Sequence, residues 1–369
     1  MSARVLVAMS GGVDSSVAAA ILREDGYDVV GVAMRLAPEP AEPVAARGAK
    51  RRGTCCSHED FEDARRVAER MDFPFYVIDL RADFAARVVD NFVSEYLGGR
   101  TPNPCVMCNR EIKFDRLWTR AHALEADFVA TGHYARIENG ADGRFHLLRA
   151  ADDSKDQSYF LFTLGQAELA RTLFPLGAIT KAEVRARARD LGLANADKPE
   201  SQEICFVPDG DYARFVERAS APEQIRPGTV IDSAGNRLAE HAGVHRFTVG
   251  QRRGLGIATG ERLYVREIRP NSGEVVVAPR EYLDAPGLTA SRISLIDDSL
   301  ASGAEVEVEV KIRYRHPAIP ATMRVDSSRR AEVRFIASGP AVTPRQACVF
   351  YRGDEVLGGG FIERALGAD

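Results

Sequence analysis

Little in this sequence points to export, to a membrane or to a strongly charged surface. No window holds the roughly 20 consecutive apolar residues of a membrane span. The opening residues MSARVLVAMSGG lack the charged start and long apolar stretch of a signal peptide, so a cytoplasmic protein is expected. Cysteine is scarce, with six in 369 residues: Cys55, Cys56, Cys105, Cys108, Cys205 and Cys348. In a reducing cytosol these read as thiols, metal ligands or catalytic sulfur rather than structural disulfides. No internal repeat or heptad pattern is present. The formal net charge is -4 with 28% charged residues, which excludes a global positive field and leaves any nucleic-acid contact to local basic clusters. What the chain does have is 45% hydrophobic residues over a length that suits two or three domains.

Apolar runs and helical spacings alternate through the first half. Arg4 to Ser10 reads as a strand, Ser15 to Asp25 as a helix, Val29 to Leu36 as a strand and Asp60 to Met71 as a helix. Phe75 to Leu80 follows as a strand, Phe84 to Leu97 as a helix and Asp127 to Thr131 as a strand, the cadence of a doubly wound parallel α/β sheet. Between Ala37 and Gly53 the Pro- and Ala-rich stretch has no periodicity and reads as a mobile insertion. Its tail of Arg47, Lys50, Arg51 and Arg52 suits a phosphate, although a solvated loop is the default for such a run. After about Phe206, short alternating runs broken by Gly and Pro, such as GTVIDSAGNRL and ERLYVREIRPNSGEVVVAP, signal antiparallel β structure. The expected parsing is a catalytic α/β domain over residues 1–208, a small mixed domain over 209–281 and a β-barrel over 282–369.

The string Ser10-Gly11-Gly12-Val13-Asp14-Ser15-Ser16 lies on the first strand-to-helix turn. There glycines let backbone N–H groups approach a phosphate, hydroxyls add donors and the helix presents its positive end. The Gly-Lys-Ser/Thr of a Walker loop is absent. The string resembles instead the PP-loop of ATP pyrophosphatases, which implies cleavage of ATP to AMP and pyrophosphate with Asp14 near a metal-bound pyrophosphate. Transfer of AMP onto an amide-like oxygen makes that oxygen a leaving group, and a nucleophile must then displace it. Cys108, in TPNPCVMCNREIKF, and Cys205, in SQEICF, both lie beside polar residues and are candidates, because a thiolate is the soft nucleophile that sulfur chemistry needs. Cys348, in the apolar run ACVFY, reads as a small buried hydrophobe.

SGGVDSS, NPCVMCNREIKF, TGHYAR (Thr131 to Arg136), KDQSYFL (Lys155 to Leu161), SQEICF, GQRRGLGI (Gly250 to Ile257) and LGGGFI (Leu357 to Ile362) together resemble the bacterial tRNA-specific 2-thiouridylases, in order over nearly the whole chain. The resemblance implies that ATP, with Mg2+, adenylates the 2-oxygen of the wobble uridine in tRNAs for Lys, Glu and Gln, and that a persulfide replaces it with sulfur. It implies a persulfide on Cys205, supplied by a cysteine-desulfurase relay, and a nucleophilic Cys108 that releases the sulfur and forms a transient disulfide with Cys205. By the same match Ala8, Met9, Ser10, Gly11, Gly12, Val13, Asp14, Ser15, Met34 and Gly132 line the ATP. Asn103, Pro104 and Cys105 face the target base, and His133, Lys155, Asp156, Gln157, Arg313, Tyr314 and Gln346 contact tRNA. Lys155 and Arg313 suit phosphate, Tyr314 a splayed base and Gln346 a base edge, although each alone is by default a surface or structural side chain. Gln251, Arg252 and Arg253 suit either a phosphate or a plain turn.

Two departures from the family pattern stand out. Cys105 occupies a position where Asp is frequent, and Cys105, Cys108 and Cys205 could then converge as three thiolates, which suits an iron-sulfur cluster (4Fe-4S) or zinc with one open position. Pro344-Arg345 stands where Pro-Gly is common. Two other function classes remain: a PP-loop ligase or amidotransferase acting on a small carboxylate, which needs no paired thiols, and a non-catalytic tRNA-binding protein, which leaves SGGVDSS unexplained.

Overall fold

The computed structural model describes residues 2–36, 58–199, 204–207, 209–258 and 260–367. The basic run Arg47, Lys50, Arg51 and Arg52, the Ala37 to Gly53 insertion, Cys55, Cys56 and Ser201 to Glu203 lie outside them. The chain forms two compact units, one from Met1–Val88 with Cys105–Gly210, the other from Val89–Pro104 with Asp211–Asp369. Among the described residues no helix is long and apolar enough to cross a membrane.

In the first unit β1 (Arg4–Ala8), β2 (Asp28–Arg35), β3 (Phe75–Asp79), β4 (Phe128–Thr131) and the two-residue β7 (Thr172–Leu173) form a parallel sheet in the order β3-β2-β1-β4-β7. Because a parallel sheet is covered on both faces, its central strand reads as unbroken apolar sequence. Val5 and Val7 of β1 enter a core with Val17, Ala18, Val184 and Ala188 from the helices Val13–Glu24 and Lys181–Asp190. Leu6, between them, enters the opposite core with Leu117 and Ala121 of the helix Asp115–Ala123. Each such fully buried valine or leucine side chain contributes about 1.5–3 kcal/mol. A hairpin of β5 (Arg136–Asn139) and β6 (Phe145–Leu148), absent from the sequence reading, follows β4. The strand order reverses direction between β1 and β4, and ligands of open α/β sheets bind at such a switch point, beyond the carboxyl ends of the strands.

The second unit holds two β structures. The smaller sheet runs β10-β11-β8-β9, from β8 (Gly228–Ile231), β9 (Arg237–His241), β10 (Tyr264–Arg269) and β11 (Glu274–Ala278). Its two hairpins are antiparallel as the turn signals predict, but β8 and β11 pair in parallel, a long-range match that no local turn encodes. The C-terminal strands β12 (Ala285–Leu295), β13 (Glu305–Lys311), β14 (Ile319–Val325), β15 (Ala331–Gly339), β16 (Ala347–Arg352) and β17 (Glu355–Ala365) run in the order β12-β15-β14-β13-β16-β17, and pairing of β12 with β17 closes them into a barrel. Alternation decides which side faces inward: Val308 and Val310 are core residues of β13 while its glutamates face out.

Candidate active site

The turn from β1 into the helix Val13–Glu24 places Met9 to Gly12 at the carboxyl edge of the sheet, beside the end of β4. Met9 is buried and its N–H donates to Val32 O at 2.8 Å, so the loop leaves the sheet from a fixed point. Gly11 has φ +72°, and a Cβ there would fall 2.1 Å from the Asp60 carbonyl oxygen. At Gly132, just after β4, a Cβ would fall 2.8 Å from the Ser15 nitrogen. Both glycines are therefore dictated by close backbone approach. Gly12 caps the helix in an extended conformation without a side-chain hydrogen bond, which leaves its positive end available to an anion. The hydroxyls tighten the turn: Ser10 N–H donates to Ser15 Oγ at 3.1 Å, and Ser15 and Ser16 Oγ each donate to Gly12 O at 3.1 Å. Ala8 ends β1 and half-buried Met34 lies near the end of β2. The motif thus makes a narrow, rigid cradle suited to the phosphates of a nucleotide.

Four residues that sequence reasoning missed complete this crevice. Lys181, 8% exposed, places Nζ 2.7 and 2.8 Å from the two carboxylate oxygens of Asp14, and Tyr134 OH donates to Asp14 Oδ1 at 2.7 Å. Asn195 Nδ2 donates to Gly11 O at 3.1 Å and to Ser16 Oγ at 2.9 Å. Lys198 Nζ donates to Gly11 O at 3.4 Å and to Asp60 and Asp63, each at 2.6 Å. Burial pulls the Lys198 pKa down, but the hydrogen bonds it donates to the two carboxylates outweigh this and hold the ammonium above its ordinary value. Tyr134 follows directly on Gly132-His133 and was open to inspection as the centre of TGHYAR. The other three lie more than 160 residues from the loop in sequence, with no motif of their own.

His133 shares a 2.7 Å hydrogen bond with Thr131 Oγ1 and packs between the rings of Phe114 and Phe174. Desolvation, and secondarily the Lys113 charge, push its pKa down to about 3, so it is neutral at physiological pH. Asp156 is buried and turned into its own loop, accepting from the N–H groups of Ala150 (3.2 Å) and Ser158 (3.1 Å) and from Ser158 Oγ. Gln157 Oε1 accepts from Tyr134 N–H at 3.0 Å, and Lys155 is half-buried in the same loop.

The short helix Pro104–Cys108 carries Cys105, exposed, and Cys108, buried, and continues into wider helical turns over Asn109–Phe114. Cys205 is half-buried; Val207 N–H closes a turn onto Ile204 O, and the Phe206 ring meets Phe84 edge-on at 5.6 Å. Cys348 is wholly buried in β16, and burial pushes its thiol up to about 12, which makes it an inert core residue. Among the described residues no three His, Cys, Asp or Glu side chains are placed to hold a metal, so the arrangement of Cys105, Cys108 and Cys205 lends a 4Fe-4S cluster no support.

Arg313, Tyr314 and Gln346 belong to the second unit, with Asn103 and Pro104. Arg313 donates to Val249 O at 3.1 Å and Thr343 Oγ1 at 2.7 Å and lines a cavity of about 170 Å³ with Tyr264, Arg280 and His316. Lys311 Nζ lies 5.9 Å from the centre of the Tyr314 ring. Gln346 Nε2 donates to Thr101 O at 2.9 Å, which ties the residue preceding β16 to the segment carrying Asn103 and Pro104. Half-buried Gln251 accepts from Thr248 N–H and donates to Arg253 O, bracing the turn, while Arg252 and Arg253 are exposed.

Models of three protein families match the chain in succession. They are the tRNA methyl transferase HUP domain over residues 3–209, the tRNA methyl transferase PRC-barrel domain over 214–279 and the aminomethyltransferase beta-barrel domain over 286–362. The chain is 52% identical to the tRNA-specific 2-thiouridylase MnmA of Geobacter metallireducens over 364 residues, covering 98% of this chain and 97% of that protein. It is 52% identical to the protein of the same name from Geotalea uraniireducens, covering 98% and 96%. The counterpart from Clostridium perfringens is 46% identical, covering 98% and 99%.

Proposed function

The chain belongs to the tRNA-specific 2-thiouridylases, and from that premise we propose how its residues divide the work of an ATP-dependent tRNA sulfurtransferase. The observation that carries this reading is identity of about half over essentially the full length of relatives bearing that name. A PP-loop cradle at the switch point of a parallel sheet accords with it.

ATP lies in the crevice lined by Ala8 to Ser15, Met34 and Gly132, and Asp14 is the carboxylate suited to a Mg2+ ion accompanying the pyrophosphate. The 2-oxygen of the wobble uridine attacks the α-phosphorus, pyrophosphate leaves, and the oxygen becomes part of an AMP leaving group. The terminal sulfur of a persulfide on Cys205 then adds to C2 and AMP departs. Cys108 thiolate attacks Cys205 Sγ, breaking the persulfide bond, leaving the sulfur on the base and forming a Cys108–Cys205 disulfide that an external thiol must reduce. Asn103, Pro104 and Cys105 face the base. His133, Lys155, Asp156, Gln157, Arg313, Tyr314 and Gln346 serve tRNA recognition, Asp156 by shaping the loop of Lys155 and Gln157. The substrates are tRNAs for Lys, Glu and Gln, the sulfur comes from a cysteine-desulfurase relay, and the reaction proceeds in the cytosol. The boundaries after residues 208 and 281 separate a catalytic domain, a small tRNA-contacting domain and a barrel.

The test is single-turnover thiolation with ATP, unmodified tRNA and a persulfide donor, using metal-analysed protein. Cys205→Ser and Cys108→Ser are each expected to lose 2-thiouridine formation by at least 100-fold while binding tRNA within threefold of wild type. Thiolation that survives either substitution would overturn the two-thiol scheme. Pyrophosphate release driven by a small carboxylate instead of tRNA would restore the ligase.

A further inference from the structure

Lys181 is placed where a lysine is costly. It is the first residue of the helix Lys181–Asp190, so its positive charge lies at the positive end of a helix, and its side chain is almost wholly buried. The backbone there is held firmly: Lys181 N–H donates to Asp152 Oδ2 at 3.0 Å, and Thr180 forms a reciprocal cap with Glu183. The ammonium reaches both oxygens of Asp14 and lies 5.8 Å from the centre of the Tyr134 ring, whose hydroxyl binds the same carboxylate. Asp14 in turn is in the first turn of the helix that follows the phosphate cradle, and its side chain is 32% exposed. A bare carboxylate at that place would repel the triphosphate that the cradle is built to receive.

We propose that Lys181 is a positioning residue, the built-in counterion of Asp14, which with Tyr134 keeps the mouth of the phosphate cradle electrically neutral so that a nucleoside triphosphate can enter before any cation is bound. This rests on the reading of the cradle as an ATP site. The ammonium is almost wholly buried and contacts both oxygens, so it holds the partly exposed carboxylate in one orientation as well as neutralising it. Because repulsion between Asp14 and the nucleotide is what Lys181 relieves, removing the lysine and removing the carboxylate must have opposite effects, and removing both must cancel.

The experiment is equilibrium binding of ATP to the full chain, in EDTA and in excess Mg2+, with thermal unfolding measured in parallel. In EDTA, Lys181→Met is expected to weaken ATP binding at least tenfold, Asp14→Asn to tighten it at least threefold, and the double variant to return to within threefold of wild type. In Mg2+ the deficit of Lys181→Met should shrink, since the cation takes over the neutralisation. Asp14→Asn keeps the proposal testable if Lys181→Met does not fold. Unchanged or weaker ATP binding by Asp14→Asn, or a double variant no tighter than Lys181→Met, would overturn the counterion role and leave a structural lysine. Wild-type protein that binds no ATP in either condition would instead overturn the ATP reading on which the proposal stands.

Discussion

Arg345 shows what one residue can carry. Its φ is +70°, a left-handed conformation that costs a side-chain-bearing residue about 1–3 kcal/mol. The strain is held by the surroundings: Arg345 N–H donates to Ile362 O at 2.8 Å, and its Nε lies 3.3 Å from Glu95 Oε2. Glu95 is buried and also pairs with Arg100, so arginine here adds a partner to a carboxylate that must not be left bare. Arg345→Ala keeps the strain and loses the ion pair; Arg345→Gly loses the pair but removes the strain. The glycine variant should therefore be the more stable of the two by about 1 kcal/mol in urea unfolding, and equal stabilities would mean that the left-handed backbone is not strained. The two buried cysteines make a similar point. Cys108 is 7% exposed in a short helix, whereas Cys348 is wholly enclosed in a barrel strand, where burial pushes its thiol up to about 12.

At the scale of elements, the phosphate cradle depends on the chain around Asn195 and Lys198, which grips Gly11 and the helix His58–Arg70 through Asp60 and Asp63. Burial raises the Asp63 pKa, but hydrogen bonds from Lys198 and Arg66 outweigh it and leave the carboxyl below its ordinary 3.8. A depressed carboxylate stabilises fully above its unfolded pKa and loses that contribution as pH falls through the folded value. Lys198, held above its ordinary 10.5, stabilises fully below that value and loses its contribution as pH rises through the higher folded one. The brace is thus intact from about pH 5 to 10. Lys198→Met should destabilise the protein by about 1–3 kcal/mol across that window, and the difference from wild type should shrink below pH 4. A difference independent of pH would show that Lys198 acts through packing of its aliphatic stem.

For the whole molecule, a formal charge of -4 means that RNA affinity must be built locally. Arg252 and Arg253 are exposed on the turn that the Gln251 side chain braces. Each phosphate contact adds about 0.7–0.9 to the slope of log affinity against log salt. Replacing both arginines by alanine should lower the slope of tRNA binding by about 1–2 while ATP binding stays unchanged, and an unaltered slope would make GQRRGLG a structural turn.

Much of this was legible in the sequence because the physics is local. The apolar run of β1, the alternation of β13 and the glycine-rich turn each need only neighbouring residues to be read, and the series of motifs pointed to the family. The parallel pairing of β8 with β11, the partners of Asp14 and Gly11, and the disposition of Cys105, Cys108 and Cys205 could not be read in that way. Lysine and asparagine are surface residues by default, and nothing near Lys181, Asn195 or Lys198 in sequence announces a partner more than 130 residues away. The sequence alone determined the α/β-then-β order of elements and the chemistry the phosphate loop suits, since periodicity and backbone permissiveness are properties of short segments. Only the tertiary structure decided which charge neutralises Asp14 and which glycines touch backbone, because those outcomes depend on distances set by the packing of whole helices and sheets.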